Sequence, residues 1–199
     1  MLTLFSVKQT ERTYKHLAVT APSGAGKTTI VRHLLSKYDY LDFSTSATNR
    51  ERREKETEGE DYYFLTTKEF QRKIEEGHFV EWEEVYEGQY YGTLFSEIKS
   101  IEELKKSIVF DIDVKGAVSI KESYGSEVLT LFIKPPSYEI LKKRLEDRGT
   151  ESAASLAKRL ERVQRELTYE NKFDLVLVND DLDIAFEEAE IIVEKYIKP

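Results

Sequence analysis

The segment APSGAGKTT, Ala21 to Thr29, contains the residue types that a phosphate-binding loop needs. Gly24 and Gly26 permit backbone conformations closed to other residues, so that successive N–H groups can converge on a phosphate at the start of a helix. Lys27 can reach the terminal phosphates of a nucleotide, and the Thr28 hydroxyl can coordinate Mg²⁺. The alternative is an ordinary turn that happens to contain these residues. The predicted strand before the segment and the predicted helix after it favour the phosphate-binding loop.

A carboxylate follows another apolar run of the chain. Asp111 comes directly after Ile108, Val109 and Phe110. An acid at the carboxyl end of a core strand, beside a phosphate-binding loop, is in the right position to support a magnesium ion. From local sequence alone, an Asp that caps the next helix is nearly as good an interpretation. Asp113 has the same two interpretations, so the sequence leaves open which of the two acids supports the metal.

The most charge-dense stretch is STSATNRERREKETEGEDYYF, Ser44 to Phe64. Its composition indicates a solvated loop, yet Arg50 and Arg53 could hold an anion. The formal net charge of the chain, −8, argues against a protein that coats nucleic acid, because such a protein would carry a basic surface. It does not exclude a small anionic substrate, since local arginines can form a basic site within an acidic protein.

The residue counts exclude several kinds of site. The chain has 199 residues and no cysteine, which excludes disulfides, thiol catalysis and cysteine-based zinc sites. Its three histidines are scattered along the chain, so we expect no histidine-metal site. The sequence has neither the pattern of a signal peptide nor an apolar run of membrane-spanning length. We therefore expect a soluble, cytoplasmic protein.

Apolar runs and helical patterns alternate along most of the chain. Four segments are predicted to be buried strands: HLAVTA, SIVFDID, VLTLFIKPP and DLVLVNDD. With the amphipathic patterns between them, they predict an α/β fold whose parallel sheet is covered by helices on both faces. The polar region from about Ser46 to Phe95 breaks this alternation and holds one clear short helix, TKEFQRKIEEG. We interpret this region as an excursion from the core that forms a small subdomain.

Eight motifs follow one another between roughly His16 and Ile197: PSGAGKTT, SATNRERR, GEDYYF, FVEWEEVYEGQYYGT, FDIDVKG, PPSYEILKKRLEDRGTES, AKRLERVQREL and LVNDDLD. Together they resemble the guanylate kinase family. The resemblance implies one domain, residues 1–199, with the P-loop kinase fold. Its parts would be a parallel-sheet core (about 1–46, 97–136 and 170–199), a small mixed α+β GMP-binding subdomain (about 47–96) and a mobile lid (about 137–169).

The activity that the resemblance implies is Mg²⁺-dependent transfer of the ATP γ-phosphate to GMP, and to dGMP, giving ADP and GDP. Such an enzyme would act in purine nucleotide metabolism and GMP recycling. Its partners would be the small molecules ATP and GMP, with no nucleic acid and no membrane, and the oligomeric state stays open. The alternative is a non-catalytic guanylate-kinase-like protein-interaction module, but the intact Lys27 and Thr28 favour the kinase.

The resemblance also assigns roles to individual residues. The implied ATP contacts are Ser23, Gly24, Ala25, Gly26, Lys27, Thr28, Thr29 and Arg148. The implied GMP contacts are Ser46, Arg50, Arg53, Tyr62, Glu81, Tyr91, Thr93 and Asp113. The residues expected to act in the transfer are Lys27, Arg50, Arg148 and Arg159, and the expected metal ligands are Thr28 and Asp111.

The chemistry of GMP agrees with these roles. Guanine presents N1–H and its N2 amino group as neighbouring donors, which one carboxylate, that of Glu81, can accept together. The hydroxyls of Ser46 and Thr93 match the family positions that donate to guanine O6. Arginine can hold a phosphate through two parallel hydrogen bonds, as expected of Arg50 and Arg53. Without the resemblance, Glu81 would be interpreted as an acid on the face of a strand.

Two places depart from the family pattern. Ala21 stands where the motif G-x-x-x-x-G-K-[ST] has its first glycine, and alanine would strain the loop if that position needed a positive φ. Arg52 and Lys55 stand where the family commonly has proline and glycine. We therefore expect a looser turn in which Arg52 could compete for the phosphate.

Overall fold

The structure, a computed structural model, describes residues 14–147 and 153–198. The strands in these ranges are β1 (His16–Thr20), β2 (Leu41–Phe43), β3 (Ala47–Thr48), β4 (Tyr63–Phe64), β5 (Phe79–Tyr86), β6 (Gln89–Leu94), β7 (Ser107–Asp111), β8 (Val128–Lys134) and β9 (Leu175–Val178). The helices are α1 (Lys27–Lys37), α2 (Thr67–Glu75), α3 (Phe95–Glu103), α4 (Val114–Tyr124), α5 (Tyr138–Asp147), α6 (Ala153–Leu167) and α7 (Leu182–Tyr196). In this described part of the chain, no helix has the length and apolar character needed to cross a membrane.

The larger sheet is parallel throughout and has the strand order β2-β7-β1-β8-β9. Its central strand, β1, is buried along its whole length. Leu17 and Val19 pack into a core with α1 and α7, whereas Ala18 packs into a second core with α3 and α4. Because successive side chains of a strand point to opposite faces, a continuous apolar run is what a doubly covered sheet requires. The predicted α/β class, with a parallel sheet covered by helices, is confirmed.

The excursion from the core forms a second, mixed sheet with the order β4-β3-β6-β5. Helix α2, which the sequence predicted, begins at a capping box formed by Thr66 and Glu69 and packs on this sheet. Its Phe70 stacks on Phe79 of β5, with ring centroids 4.5 Å apart. The hairpin of β5 and β6 was not predicted from the sequence, because one of its buried positions holds an acid, Glu81.

Strand pairing brings the chemistry-bearing segments to one edge of the larger sheet. β1 and β7 are neighbours, and Val19 pairs with Asp111. The glycine loop leaves β1 at this edge to enter α1, so that Lys27 and Asp111 meet. The segment between β2 and β3 carries Ser46 past the same edge, since the Ser44 backbone N–H donates to the Val109 carbonyl at 3.0 Å. The second sheet therefore begins beside the glycine loop.

Candidate active site

The glycine loop has the backbone that a phosphate-binding loop needs. Gly24 and Gly26 adopt φ angles of 92° and 96°, which are strained for residues with a side chain. A Cβ atom at Gly26 would overlap the Asn179 amide, and one at Gly24 would approach Leu145 to 2.9 Å. No side chain caps α1, so its first N–H groups can serve an anion. Ala21 does not have a positive φ, so alanine at the first position of the motif causes no backbone strain.

Asn179 supports this loop from the carboxyl end of β9. Its Nδ2 donates to the Ala25 carbonyl at 2.7 Å, and its backbone N–H donates to the Lys134 carbonyl at 2.8 Å. Only 4% of the Asn179 surface is exposed, so the hydrogen bond is protected from water. Sequence reasoning missed this support because the contact joins residues 154 positions apart.

Lys27 and Thr28 both face the acid that ends β7. Lys27 forms an ion pair with Asp111 and donates to the Ile112 carbonyl at 2.9 Å. The Thr28 hydroxyl lies 3.5 Å from Asp111 Oδ2. A hydroxyl and a carboxylate at this spacing fit a magnesium ion, which commonly takes one or two protein carboxylates along with phosphate and water oxygens. Asp111 does not cap a helix: the N-cap of α4 is Asp113.

A cavity of about 260 Å³ separates this sheet edge from the second sheet. Many of the predicted site residues line it, although they come from distant parts of the chain. They are Ser23, Lys27, Ser46, Arg53, Tyr62, Glu81, Tyr91, Asp111, Asp113 and Arg159. Arg50 and Thr93 instead contact residues of the lining, Thr29 is exposed on the first turn of α1, and Arg148 lies outside the described residues.

Glu81 is the buried acid of the cavity, with 7% of its surface exposed. Thr93 pairs with it across the hairpin and donates from its hydroxyl to Glu81 Oε1 at 2.7 Å. Burial, with a smaller contribution from the nearby carboxylates of Asp113 and Glu83, raises the pKa of Glu81 to about 7, although the hydrogen bond from Thr93 acts in the opposite direction. Gly116 leaves room for the carboxylate, because a Cβ atom there would lie 2.9 Å from Glu81 Oε2. In this structure the hydroxyl proton of Thr93 is engaged by Glu81.

The charged loop is ordered around Glu56. Arg50 grips this carboxylate through two hydrogen bonds of 2.6 and 2.7 Å, which lower the pKa of Glu56. Arg50 also lies over the Tyr62 ring, 4.9 Å from its centroid. Tyr62 packs edge-on against Tyr91 at 5.9 Å, and burial raises the pKa of Tyr62 to about 12, so its hydroxyl stays a neutral donor. The Arg53 side chain lines the cavity but is 71% exposed.

The expected looseness of this loop is not seen. The Glu56 carboxylate accepts from the Arg53 backbone N–H at 2.9 Å, and the Glu56 N–H donates to the Arg53 carbonyl at 3.1 Å. These two bonds close the turn without the usual proline and glycine. Arg52 is exposed and is not part of the cavity lining.

Sequence reasoning missed Arg162 and Glu166, which also line the cavity. Arg162 donates to Asp113 Oδ2 at 3.1 Å and to Glu166 Oε1 at 2.5 Å. The other oxygen of Asp113 accepts from the Gly116 N–H at 2.7 Å, so Asp113 both caps α4 and faces the cavity. In the sequence, Arg162 and Glu166 are two charges of an amphipathic helix, and no local signal separates them from solvated neighbours.

Comparisons with known proteins agree with the family resemblance that the sequence motifs indicated. The family model described as guanylate kinase matches residues 13–196. The chain is 45% identical to a guanylate kinase of Porphyromonas gingivalis, over 92% of this chain and 98% of that protein. It is 46% identical to one of Salinibacter ruber, over 91% and 96%. Its structure is similar to that of a guanylate kinase from Anaplasma phagocytophilum, with a TM-score of 0.74 and 29% identity over 94% of this chain and 88% of that one. This similarity confirms the predicted P-loop kinase fold.

Proposed function

Because this chain belongs to the guanylate kinase family, we propose that it is a Mg²⁺-dependent kinase that transfers the γ-phosphate of ATP to GMP, giving ADP and GDP. One observation carries the proposal most directly. The lysine of the glycine loop and the buried acid Glu81 line the same cavity. A donor nucleotide at the loop and an acceptor nucleotide at Glu81 would therefore meet in the same cavity.

The base of the acceptor is recognised by Glu81 and its supports. The Glu81 carboxylate accepts from N1–H and the N2 amino group of guanine, whereas adenine offers an acceptor at N1 and would be repelled. Thr93 holds the carboxylate in position through the 2.7 Å hydrogen bond. Ser46 then serves as the donor to guanine O6, and Asp113 accepts at the base edge. A wrong base would leave these buried groups unpaired, which gives strong discrimination.

The phosphate of GMP is held at the charged loop. Arg50 and Arg53 supply the positive charge, and Tyr62 and Tyr91 supply neutral donors. Nη1 and Nη2 of Arg50 already donate to the two carboxylate oxygens of Glu56. Glu56 therefore positions the guanidinium in advance, and Arg50 contacts the phosphate through its remaining N–H groups. Arg53, which is largely exposed, is free to turn toward the phosphate.

The donor nucleotide is held by the glycine loop. Backbone N–H groups of residues 23–29 and the Lys27 ammonium bind its phosphates, and Thr28 and Asp111 would hold the Mg²⁺ ion. The ion supplies charge stabilisation for the transferred phosphoryl group. For Lys27 to reach the phosphates, it must leave its ion pair with Asp111, and the Asp111 carboxylate would then be available to hold the Mg²⁺ ion.

Transfer between two anions needs positioning and charge neutralisation more than covalent chemistry. The GMP phosphate is already an anion and requires no general base. Lys27, Arg50, Arg148 and Arg159 offset the repulsion between the two substrates and stabilise the charge of the transition state. Because a cavity closed to water favours transfer to GMP over hydrolysis of ATP, residues 47–96 and the lid (about 137–169) close over the substrates. Small-angle scattering that is identical with and without both nucleotides would contradict this movement.

The test of the proposed activity is ADP formation from ATP and GMP, followed by a coupled assay. We expect turnover by the wild-type protein and a loss of several orders of magnitude in kcat for Lys27→Met. The circular dichroism spectrum of this variant is expected to match that of the wild-type protein, which shows that it folds. If the folded wild-type protein binds GMP but forms no ADP, the chain is a binding module of the same fold instead.

A further inference from the structure

The guanidinium of Arg162 on α6 connects three parts of the molecule. Its Nε donates to Glu166, one turn further along the same helix, at 2.5 Å. Its Nη2 donates to Asp113 at the start of α4, in the core, at 3.1 Å. Its Nη1 donates to the Val85 carbonyl of β5, in the second sheet, at 3.0 Å. The ring of the next residue, Tyr86, lies 5.3 Å from the guanidinium.

These contacts depend on the relative positions of the three parts. The donors of a guanidinium lie in one plane with a fixed fork geometry, so these three hydrogen bonds form together only when β5, α4 and α6 adopt this arrangement. The Arg162 side chain is 19% exposed, and water therefore screens its ion pairs less than those on the surface. If β5 moved away, the hydrogen bond between Arg162 Nη1 and the Val85 carbonyl would break. A half-buried N–H group would then have no partner there, which is unfavourable.

Two of the elements joined by Arg162, β5 and α6, carry residues of the proposed substrate sites. Strand β5 carries Glu81, four positions before Val85. Helix α6 carries Arg159, one turn before Arg162, and Arg159 lines the same cavity. The position of β5 is therefore transmitted through one side chain to the helix that presents Arg159. A base bound at Glu81 would hold β5 against the cavity, and through Arg162 it would also hold α6.

We propose that Arg162 is a positioning residue that couples the two substrate sites, so that GMP bound at β5 strengthens ATP binding through α6. This inference rests on the proposed function, because it takes GMP and ATP as the two ligands. The coupling is a free energy between sites and is reciprocal: ATP must strengthen GMP binding by the same factor.

The test measures that factor by calorimetry, with a non-hydrolysable ATP analogue and Mg²⁺. We expect saturating GMP to tighten binding of the analogue by about fivefold or more in the wild-type protein. In Arg162→Gln we expect the factor to fall close to one, with little change in the affinity for the analogue alone. Arg165→Gln is the matched control: its side chain is on the same helix, is 70% exposed and has its ion pair with Glu161 at 3.9 Å. This variant retains the wild-type factor.

A second variant separates coupling from stability. Arg162→Gln leaves the carboxylates of Asp113 and Glu166 without their shared cation, which can weaken folding. In the double variant Arg162→Gln/Glu166→Gln, one of these charges is also removed, and we again expect a factor close to one. A wild-type factor in either folded variant, or no coupling in the wild-type protein, overturns the proposal. Failure of the proposed function would appear separately, as binding of both nucleotides without ADP formation.

Discussion

The substitution Glu81→Gln removes the acid from the proposed guanine site and changes little else. Glutamine has the same shape, and its Oε1 can still accept from the Thr93 hydroxyl, which lies 2.7 Å from Glu81 Oε1. It presents an NH₂ group where the second carboxylate oxygen of Glu81 was. Since N1–H and the N2 amino group of guanine are both donors, two hydrogen bonds to a charged acceptor are lost or weakened. At about 1.5–3 kcal/mol for each bond, we expect kcat/KM for GMP to fall by about 10² to 10⁴.

The pH dependence provides an independent measure of the same group. With a pKa of about 7, Glu81 is mostly ionised at pH 8 and mostly protonated at pH 6. Only the carboxylate accepts both guanine donors. The kcat/KM of the wild-type protein for GMP is therefore expected to be about tenfold lower at pH 6 than at pH 8. The GMP phosphate also titrates near this range, so the wild-type protein is compared with Glu81→Gln at each pH. Their ratio changes by about tenfold, because only the wild-type protein has this carboxylate.

Stability should change in the opposite direction to activity. The pKa of Glu81 is raised from 4.5 to about 7 on folding, so ionisation of this group opposes folding at pH values above 4.5. A difference of about 2.5 pKa units corresponds to about 3 kcal/mol at pH 8. Glu81→Gln removes this cost, and its free energy of unfolding exceeds that of the wild-type protein by up to about 3 kcal/mol at pH 8 and by about 1 kcal/mol at pH 5.

These values are measured by steady-state kinetics and by urea unfolding at both pH values. An unchanged kcat/KM for GMP in Glu81→Gln would remove Glu81 from base recognition. A stability difference that does not depend on pH would show that the Glu81 pKa is not raised by burial.

Three further substitutions test the glycine loop and the phosphate site. Gly26→Ala combines a φ of 96° with a clash on Asn179, and we expect it to abolish binding of the ATP analogue in calorimetry. Asn179→Ala removes the hydrogen bond to the loop, so thermal unfolding reports a loss of about 1–2 kcal/mol and the KM for ATP rises more than the KM for GMP. Arg53→Ala reduces kcat/KM for GMP far more than Arg52→Ala, since Arg52 does not line the cavity. Equal effects of the two arginine substitutions would refute the assignment of the loop.

The core of the fold could be predicted because its strands are buried on both faces. β1, β7, β8 and β9 appear in the sequence as continuous apolar runs, which have few other interpretations. The short strand β2 (Leu41–Phe43) was missed because it has only three residues and contains Asp42. The hairpin of β5 and β6 was missed because some of its buried positions, such as Glu81 and Thr93, serve the cavity rather than a core, and polar residues there hide the alternation expected of a strand.

The candidate site likewise has parts that the sequence predicts and parts that it does not. The glycine loop is a local motif, and its geometry follows from nearby residues. Arg162 and Asn179 act through contacts 49 and 154 positions away in the chain, which no local pattern encodes. Asp113 shows a further limit, because metal support and helix capping were weighed as alternatives for it, while in the structure its carboxylate caps α4 and also lines the cavity.

The most direct test of the proposed function is a panel of acceptors at fixed Mg²⁺ and ATP, with GMP, AMP, UMP and dTMP compared by ADP formation. Because the wrong base leaves the Glu81 carboxylate and its buried neighbours unpaired, we expect kcat/KM for GMP to exceed that for AMP by about 10⁴ or more. Comparable turnover of GMP and AMP, or none with GMP by folded protein, would contradict the account of a kinase that selects guanine through Glu81.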